Sequence, residues 1–320
     1  MLRGCRLAWS RLYGSGNILE NPYDRSSNLR SPTIKEELKT ISTLQLIPYV
    51  SALLFEEGSQ RTVIITDLHI GWENELASRG IHLPSQTSKL KQKLFRILDK
   101  YKPNSLILLG DVKQAIPKIS LEEWEDVPEL FEDILEKISD ISVIQGNHDG
   151  DLEPLLPSAV KVFPPDGIII GENIKIGLFH GHAWPSPKIL ATSTLIMGHI
   201  HPVIRIRDAS GLWILKQVWM KTKCYGEKIA EAYLKQRGVK RGNSKEIFEK
   251  KYNVTLSNPT LIVMPAFNES VGGVSVDNVE DNSIGPILRL GAANIADAEL
   301  YLLDGNYLGA VKQFKSKDLS

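Results

Sequence analysis

The chain has 320 residues, of which 42% are hydrophobic and 24% charged, with 38 basic side chains against 38 acidic ones. That length suits one large domain or two ordinary ones, with ample apolar material for a core. A formal net charge of zero supplies no global field that would announce a nucleic-acid or membrane partner.

The N-terminus, MLRGCRLAWSRLYG, carries Arg3, Arg6 and Arg11 and no acid. It lacks the continuous apolar stretch of a signal peptide. Residues 14–40 are rich in Gly, Ser, Asn, Pro and charge, so 1–43 read as a poorly ordered extension, with a transit peptide as the rival reading. Residues 44–320 read as one domain. Cys5 and Cys224 are far apart and in no metal-like spacing, which argues against a disulfide framework and fits a cytoplasmic location. No apolar run approaches the roughly 20 residues of a spanning helix, so no membrane partner is expected.

In chain order, ALLF (52–55) and TVIITD (62–67) read as strands. Residues 87–102 place Leu90, Leu94, Ile97 and Leu98 on one helical face. SLILLGD (105–111) reads as a buried strand. Residues 120–138 open with a capping box, Ser120 and Glu123, and Pro128 predicts a kink or a split. ISVIQGNHD (141–149) is the next strand with its loop. The alternation of strand and helix predicts an α/β fold with a parallel sheet. The second half is richer in strands: GIII, IKIGLFHG, TLIMGHIH, VIRIRD, LWILKQVWM, TLIVMP, ILRL, ELYLLD and YLGAVKQF. Between them, residues 221–252 read as a helical insert with ten Lys or Arg against four Glu, a balance of +6.

The polar residues of this chain gather at strand ends. TD-L-H, GD, GNHD, HGH and GHIH each follow an apolar run, where the carboxyl ends of an open α/β sheet bind ligands. Six of the seven histidines lie in these clusters; only His82 stands apart, and it reads as an ordinary loop residue. Burying Asp67, Asp111, Asn147 and several imidazoles together is costly without a compensating charge, and a metal supplies it. The donors are imidazole, carboxylate and one amide oxygen, with no thiolate. That set suits Mn, Fe or Zn in a hydrolytic site and not a structural cysteine site. The donors outnumber what one ion can use, which points to two ions sharing a carboxylate.

The series DLH (67–69), GD (110–111), GNHD (146–149), HG (180–181) and GHIH (198–201) resembles the calcineurin-like metallophosphoesterase superfamily. The resemblance implies a four-layer α/β/β/α sandwich with mixed sheets and the site at one edge. It implies one metal on Asp67, His69, Asp111 and His201 and a second on Asp111, Asn147, His180 and His199, with Asp111 as the bridge. His148 would sit over the scissile phosphate, with Asp149 orienting it. His182, the one histidine of these clusters left without a role in that pattern, is expected to stand behind the ligands or to face substrate, with a purely structural role as the rival reading. A narrower likeness, in DLHIGWENELASRGIHLPSQ, GDVK and LIVMPAFN, is to the archaeal and bacterial phosphoesterases related to the SbcD nuclease; from it, Glu73 and the loop through Pro84 are expected to rim the pocket.

Many superfamily members carry Asp or His three residues after GD, whereas this chain reads GDVKQ. Gln114 can hydrogen-bond but cannot do proton chemistry. Lys113 either contacts a phosphate or is a surface lysine. The expected function is hydrolysis of phosphodiesters by a metal-activated hydroxide, manganese being the first expectation and iron or zinc the alternatives. Nucleic acid, DNA or RNA, is the expected substrate, with the basic insert and Tyr225, Tyr233 and Tyr252 as the candidate track for phosphate and base contacts. Two rivals stand beside it: a small-molecule phosphatase or nucleotide phosphodiesterase, and a non-catalytic metal-binding protein. A homodimer is compatible with the sequence.

Overall fold

The computed structural model describes residues 42–116, 118–207, 210–239, 242–276 and 285–314. Of the expected N-terminal extension, residues 1–41, with Cys5, lie outside the described residues, as do Lys240 and Arg241 of the insert. Residues 42 and 43 already belong to a strand, so the expected boundary at 44 falls inside an element.

The buried apolar runs Leu53–Phe55 and Val63–Ile65, each continued by polar residues toward the exposed turn, form an antiparallel pair of β2 (Leu53–Glu57) and β3 (Gln60–Ile65). β1 (Ser42–Leu46) adds antiparallel to the outer side of β2. The chain then crosses through α1 (Trp72–Ser78) and α2 (Thr87–Tyr101) to β4 (Ser105–Leu108), and through α3 (Leu121–Leu135) to β5 (Asp140–Ile144). β6 (Lys161–Phe163) closes this six-stranded sheet, in which β3, β4, β5 and β6 run parallel. The capping box of α3 forms in both directions: Glu123 N donates to Ser120 Oγ and Ser120 N to Glu123 Oε2. α3 runs through Pro128 unbroken, contrary to the expected split. Val127 on one side and Leu130, Phe131 and Ile134 on the other are buried, and this anchoring outweighs the one hydrogen bond that a proline removes.

The second sheet is built from β7 (Ile168–Ile170), β8 (Ile176–Leu178), β9 (Thr194–Met197), β10 (Val203–Arg207), β11 (Trp213–Lys223), β12 (Thr260–Val263), β13 (Glu299–Leu302) and β14 (Tyr307–Ala310). Its order is β14-β13-β11-β12-β9-β8-β7, with β10 paired to β11. It is mixed: β8, β9 and β12 are parallel and the remaining pairs antiparallel. Its helices are α4 (Pro187–Leu190), α5 (Gly226–Gln236), α6 (Ser244–Tyr252) and α7 (Pro286–Arg289). α7 replaces the strand expected at ILRL. Gly285 at φ 95° turns the chain and Pro286 opens the helix, where its missing N–H costs nothing. A strand there would need that N–H for its ladder.

The two-residue period of the strands sorts their side chains into three apolar clusters. Leu53, Ile64, Ile107 and Ile144 of the first sheet meet Leu178, Ile196, Trp219 and Ile262 of the second in a core between the sheets. Val63, Ile65, Leu106 and Leu108 face the other way, onto Leu94 and Leu98 of α2 and Phe131 of α3. Leu195, Met197, Leu261 and Val263 face outward onto Ile229 and Leu234 of α5 and Phe248 of α6. The result is the α/β/β/α sandwich with two mixed sheets.

Candidate metal centre

Parallel β3, β4 and β5 end at the same edge of the first sheet, and parallel β8 and β9 end at the facing edge of the second. Each end carries one polar cluster. The loops are laced together by main-chain bonds: Asp67 N to Gly110 O (3.1 Å), His69 N to Asp111 O (2.9 Å) and Gly198 N to His180 O (3.0 Å).

Eight non-glycine residues among the described ones have positive φ, and five are at this edge: Asp67 (56°), His69 (45°), Asp111 (49°), His199 (71°) and His201 (44°). A left-handed backbone costs such residues about 1 kcal/mol or more each and persists where the surroundings impose it. Two glycines allow the close approach. A Cβ on Gly146 would lie 2.1 Å from Asp111 Oδ1, and one on Gly198 would lie 2.0 Å from Thr66 Oγ1 and 2.5 Å from Asp67 Oδ2.

Asp111 sits at the centre. Its Oδ2 is 3.2 Å from His180 Nε2, 3.6 Å from His69 Nε2 and 4.0 Å from His148 Nε2. Asp67 Oδ1 is 3.1 Å from His201 Nε2 and 3.8 Å from His180 Nδ1. The Nε2 atoms of His69 and His201 face each other at 3.2 Å, and His180 Nε2 lies 3.2 Å from Asn147 Oδ1. The ring centroids of His180 and His199 are 4.9 Å apart. Three overlapping groups could hold a metal: Asp67, His69 and His201; His69, Asp111 and His148; Asp111, His180 and His199.

The electrostatics fit a cationic guest. Burial pushes the Asp67 and Asp111 carboxyls up, but the charges of His201 and His180 on the first, and of His180, His69 and His148 on the second, hold both below the usual carboxylate range. Burial works against the charged form of His180, yet Asp111 and Asp67 raise it to about 9, and Asp67 raises His201 likewise. Protons on these two rings thus do the neutralising that buried carboxylates require. His69 and His199 are pushed down by burial and neighbouring imidazoles, to about 4 and about 3, so they keep free lone pairs. His69 Nδ1 is buried without a partner. Two imidazole nitrogens facing one another and two buried carboxylates are what a divalent ion satisfies, releasing protons as it binds. His180 Nδ1 is held by Leu109 O (2.6 Å) and His201 Nδ1 by Gly272 O (2.9 Å), which aims both Nε2 atoms inward.

The remaining expected residues sort differently. His148 enters the cluster, but Asp149 does not touch its ring. Asp149 is fully buried and accepts from the main-chain amides of Val112 (3.0 Å), Lys113 (3.4 Å) and Gly146 (2.9 Å). It ties the GD and GNH loops together; burial and the charge of Asp111 push its carboxyl up to about 6. His148 is oriented instead by Gln114, whose main-chain carbonyl accepts from Nδ1 at 2.5 Å. The Gln114 side chain turns away to Glu75 Oε2 (2.9 Å). Lys113 is neither a surface lysine nor aimed at the pocket: it is buried, and its Nζ donates to the Ala115 carbonyl. Glu73 is buried, and its carboxylate accepts from Gln86 N, so it pins the 79–86 loop and forms no rim. His182 packs 5.3 Å from the His180 ring and 6.0 Å from that of His199, half-buried; burial and His180 lower it to about 4. His82 is exposed, outside the centre. Replacing Asp149 by asparagine puts an NH2 against main-chain donors in either flip. It is expected to lower unfolding free energy by about 2 kcal/mol, read by urea denaturation at neutral pH.

Three contributors escape a reading of the sequence. Glu123, legible only as a cap, also accepts from Gln114 N (2.9 Å) and Ala115 N (2.7 Å), fixing the carbonyl that orients His148. Asn268 accepts through Oδ1 from Ser270 N and donates to Leu68 O (2.9 Å), bracing the first loop. Gly272, Gly273 and Val274 form the far wall of a cavity of about 290 Å³ otherwise lined by Asp111, Asn147, Ile200 and four of the histidines. The Gly-Gly pair is the only signal for that wall.

A two-sheet sandwich with carboxylates and imidazoles converging where both sheets end defines the class: an α/β scaffold carrying a candidate dinuclear centre. The family described as calcineurin-like phosphoesterase matches residues 60–240, more than half of the chain, and the protein belongs to it. Membership implies a metal-dependent phosphoester hydrolase, and the Asp and His residues are placed for divalent ions. Similar solved structures include the nuclease MPE of Pseudomonas putida (18% identity, 82% of this chain and 98% of that one, TM-score 0.44). Others are YfcE, a phosphoesterase of E. coli (16%, 48% and 75%, TM-score 0.31), and zinc-bound Vps29 of Entamoeba histolytica (19%, 48% and 71%, TM-score 0.24). At these values the likeness bears on neither substrate nor metal. A comparison with curated proteins returns no match. Among the described residues, no helix is long and apolar enough to cross a membrane.

Proposed function

We propose that the protein is a dinuclear metal-dependent phosphodiesterase acting on nucleic acid, in the manner of the SbcD-related phosphoesterases. Asp67, His69, Asp111 and His201 would hold one ion and Asp111, Asn147, His180 and His199 the other. The observation that carries the reading is the position of Asp111, one carboxylate within 3.2–3.6 Å of imidazoles from both clusters. Divalent ions bound there would acidify a water at neutral pH and neutralise charge on phosphoryl oxygens. His148 keeps its Nδ1 proton on the Gln114 carbonyl, leaving Nε2 pointed at the cavity. Only as the imidazolium does Nε2 carry a proton, and in that form it can donate to a phosphoryl oxygen or pass the proton to the leaving oxygen. Asp149 acts through the loops and not on the ring.

A diester rather than a monoester is favoured by the wall chemistry. No Lys or Arg is among the described residues lining the cavity, so the second charge of a monoester dianion has no side-chain clamp beyond the imidazoles. The test is hydrolysis of bis(p-nitrophenyl) phosphate beside p-nitrophenyl phosphate with Mn²⁺, Fe²⁺ or Zn²⁺. The expected result is a kcat/KM for the diester at least about tenfold higher, the manganese form leading. A preference for the monoester would move the assignment to a small-molecule phosphatase. Metal bound with neither ester turned over would favour the non-catalytic reading. Metal should also stabilise the fold: at about 100 times Kd it contributes about 2.7 kcal/mol, a rise in Tm of roughly 5–10 °C that EDTA reverses.

The basic insert is a weaker candidate for the nucleic-acid contact than its charge suggests. Tyr233 is buried, its ring 5.2 Å from Trp184, 5.1 Å from Phe248 and 5.6 Å from Tyr252, with Arg237 stacked on it at 3.5 Å. Two of the three expected stacking tyrosines are thus packed into the outer helical layer. Lys221 pairs with Glu299, and Lys223 donates to Thr260 Oγ1.

A further inference from the structure

The basic and aromatic surface that the insert lacks is present elsewhere. β10 leaves His201 after one residue and pairs antiparallel with β11 as a hairpin. In that register Arg205 stands opposite Leu215 and Arg207 opposite Trp213, so all four share a face with Val203. Every one of the four is exposed; Trp213 is 49% exposed and Leu215 65%. Both guanidinium groups lie against the indole, at 4.5 Å for Arg205 and 4.8 Å for Arg207. Neither forms an ion pair among the described residues. The segment 202–223 has five basic residues and one acid, in a chain whose net charge is zero.

The face is continuous with the catalytic pocket. Val203 N donates to Val274 O (3.0 Å) and Val276 N to Val203 O (2.8 Å), so β10 is fastened to the strip that forms the far wall. A Cβ on Gly273 would lie 2.9 Å from Val203 Cγ1. At about 3.4 Å per residue, Arg205 stands about 7 Å and Arg207 about 14 Å along the strand from Val203.

An exposed indole flanked by two guanidinium groups without an ion-pair partner among the described residues combines an aromatic face for a base with fork-shaped donors for phosphate. We propose that the β10–β11 hairpin is a grip for single-stranded nucleic acid, with Trp213 stacking a base and Arg205 and Arg207 binding flanking phosphates of the strand that enters the metal centre. The inference rests on the nucleic-acid reading above and adds the strandedness and the contact residues. A ring platform needs an unstacked base, which a duplex hides.

The test is fluorescence anisotropy with labelled oligo-dT, oligo-U and a blunt duplex over a salt series. It uses the full-length metal-loaded protein and the variants Trp213→Ala, Trp213→Phe and Arg205→Ala with Arg207→Ala. Wild type should prefer single strands. The double arginine variant should lower the slope of log affinity against log salt by about two, one for each phosphate contact. Trp213→Ala should weaken binding about tenfold or more with the slope kept, and Trp213→Phe should restore most of it. Circular dichroism checks that each variant is folded. Wild-type affinity in folded Trp213→Ala and double-arginine variants would overturn the hairpin assignment alone. So would variants that bind strands normally but sediment as monomers where wild type sediments as a dimer, since the face would then be a protein interface. A wild type that binds no strand would overturn the nucleic-acid reading as well.

Discussion

Asp111→Asn is expected to abolish hydrolysis, with a fall in kcat of at least about a thousandfold, while the chain remains folded. The physical reason is the count of partners on one oxygen pair. Oδ2 faces His180, His69 and His148, and Oδ1 accepts the His148 amide at 3.0 Å. Asparagine keeps the amide bond with its oxygen but turns an NH2, a donor with no lone pair to give, toward the imidazoles. Metal titration followed by calorimetry should show the second equivalent lost or weakened by orders of magnitude. A variant that bound two equivalents as tightly as wild type and still turned over the diester would remove Asp111 from the bridging role.

His148→Ala should have the second largest effect, of a different kind. Its ring makes no contact that the two outer groups of donors need, so both ions should still bind. What is lost is the imidazole that faces the cavity, and kcat should fall about 10²- to 10⁴-fold with little change in metal affinity. An ester with a better leaving group should recover part of the loss, because a proton on the leaving oxygen then matters less. Equal losses for good and poor leaving groups would mean that His148 acts only by stabilising charge. The Gln114 carbonyl cannot be removed by mutating its side chain, so the control is Glu123→Gln. It weakens the anchor of that loop, and a smaller fall in kcat with unchanged metal stoichiometry is expected.

The convergence of these Asp, Asn and His side chains was legible because each follows an apolar strand, and Asp111, Asn147, His180 and His199 stand beside a glycine, so strand ends and polar chemistry are written in the same few residues. Gly146 and Gly198 show why: any Cβ there would occupy the space of Asp111 or Asp67. The sandwich was legible for the same reason, since single-residue alternation as at Val63, Ile64 and Ile65 sends neighbouring side chains into different cores. The partner of His148 was not legible, because a main-chain carbonyl carries no residue identity. Asp149 follows His148 in sequence, yet its side chain points to amides on the neighbouring loop. ILRL alternates well enough for a strand, but Gly285 and Pro286 overrule it. Lys113 looks like a surface residue in any composition count, and only the packing of the GD loop buries it. The wall at Gly272–Val274 has no charged or aromatic side chain to draw notice.

The two sheets are not interleaved along the chain. Residues 42–163 supply all strands of the first and residues 168–310 all strands of the second, while the donors are divided between them, Asp67, His69, Asp111 and Asn147 on one side and His180, His199 and His201 on the other. A ribosome therefore releases the first half, with its own helices to pack against, well before any imidazole of the second exists. The first half alone brings together only His69, Asp111 and His148; the groups that include His201, or His180 and His199, draw on both halves. The full centre is therefore assembled only when translation has delivered both halves and they have docked.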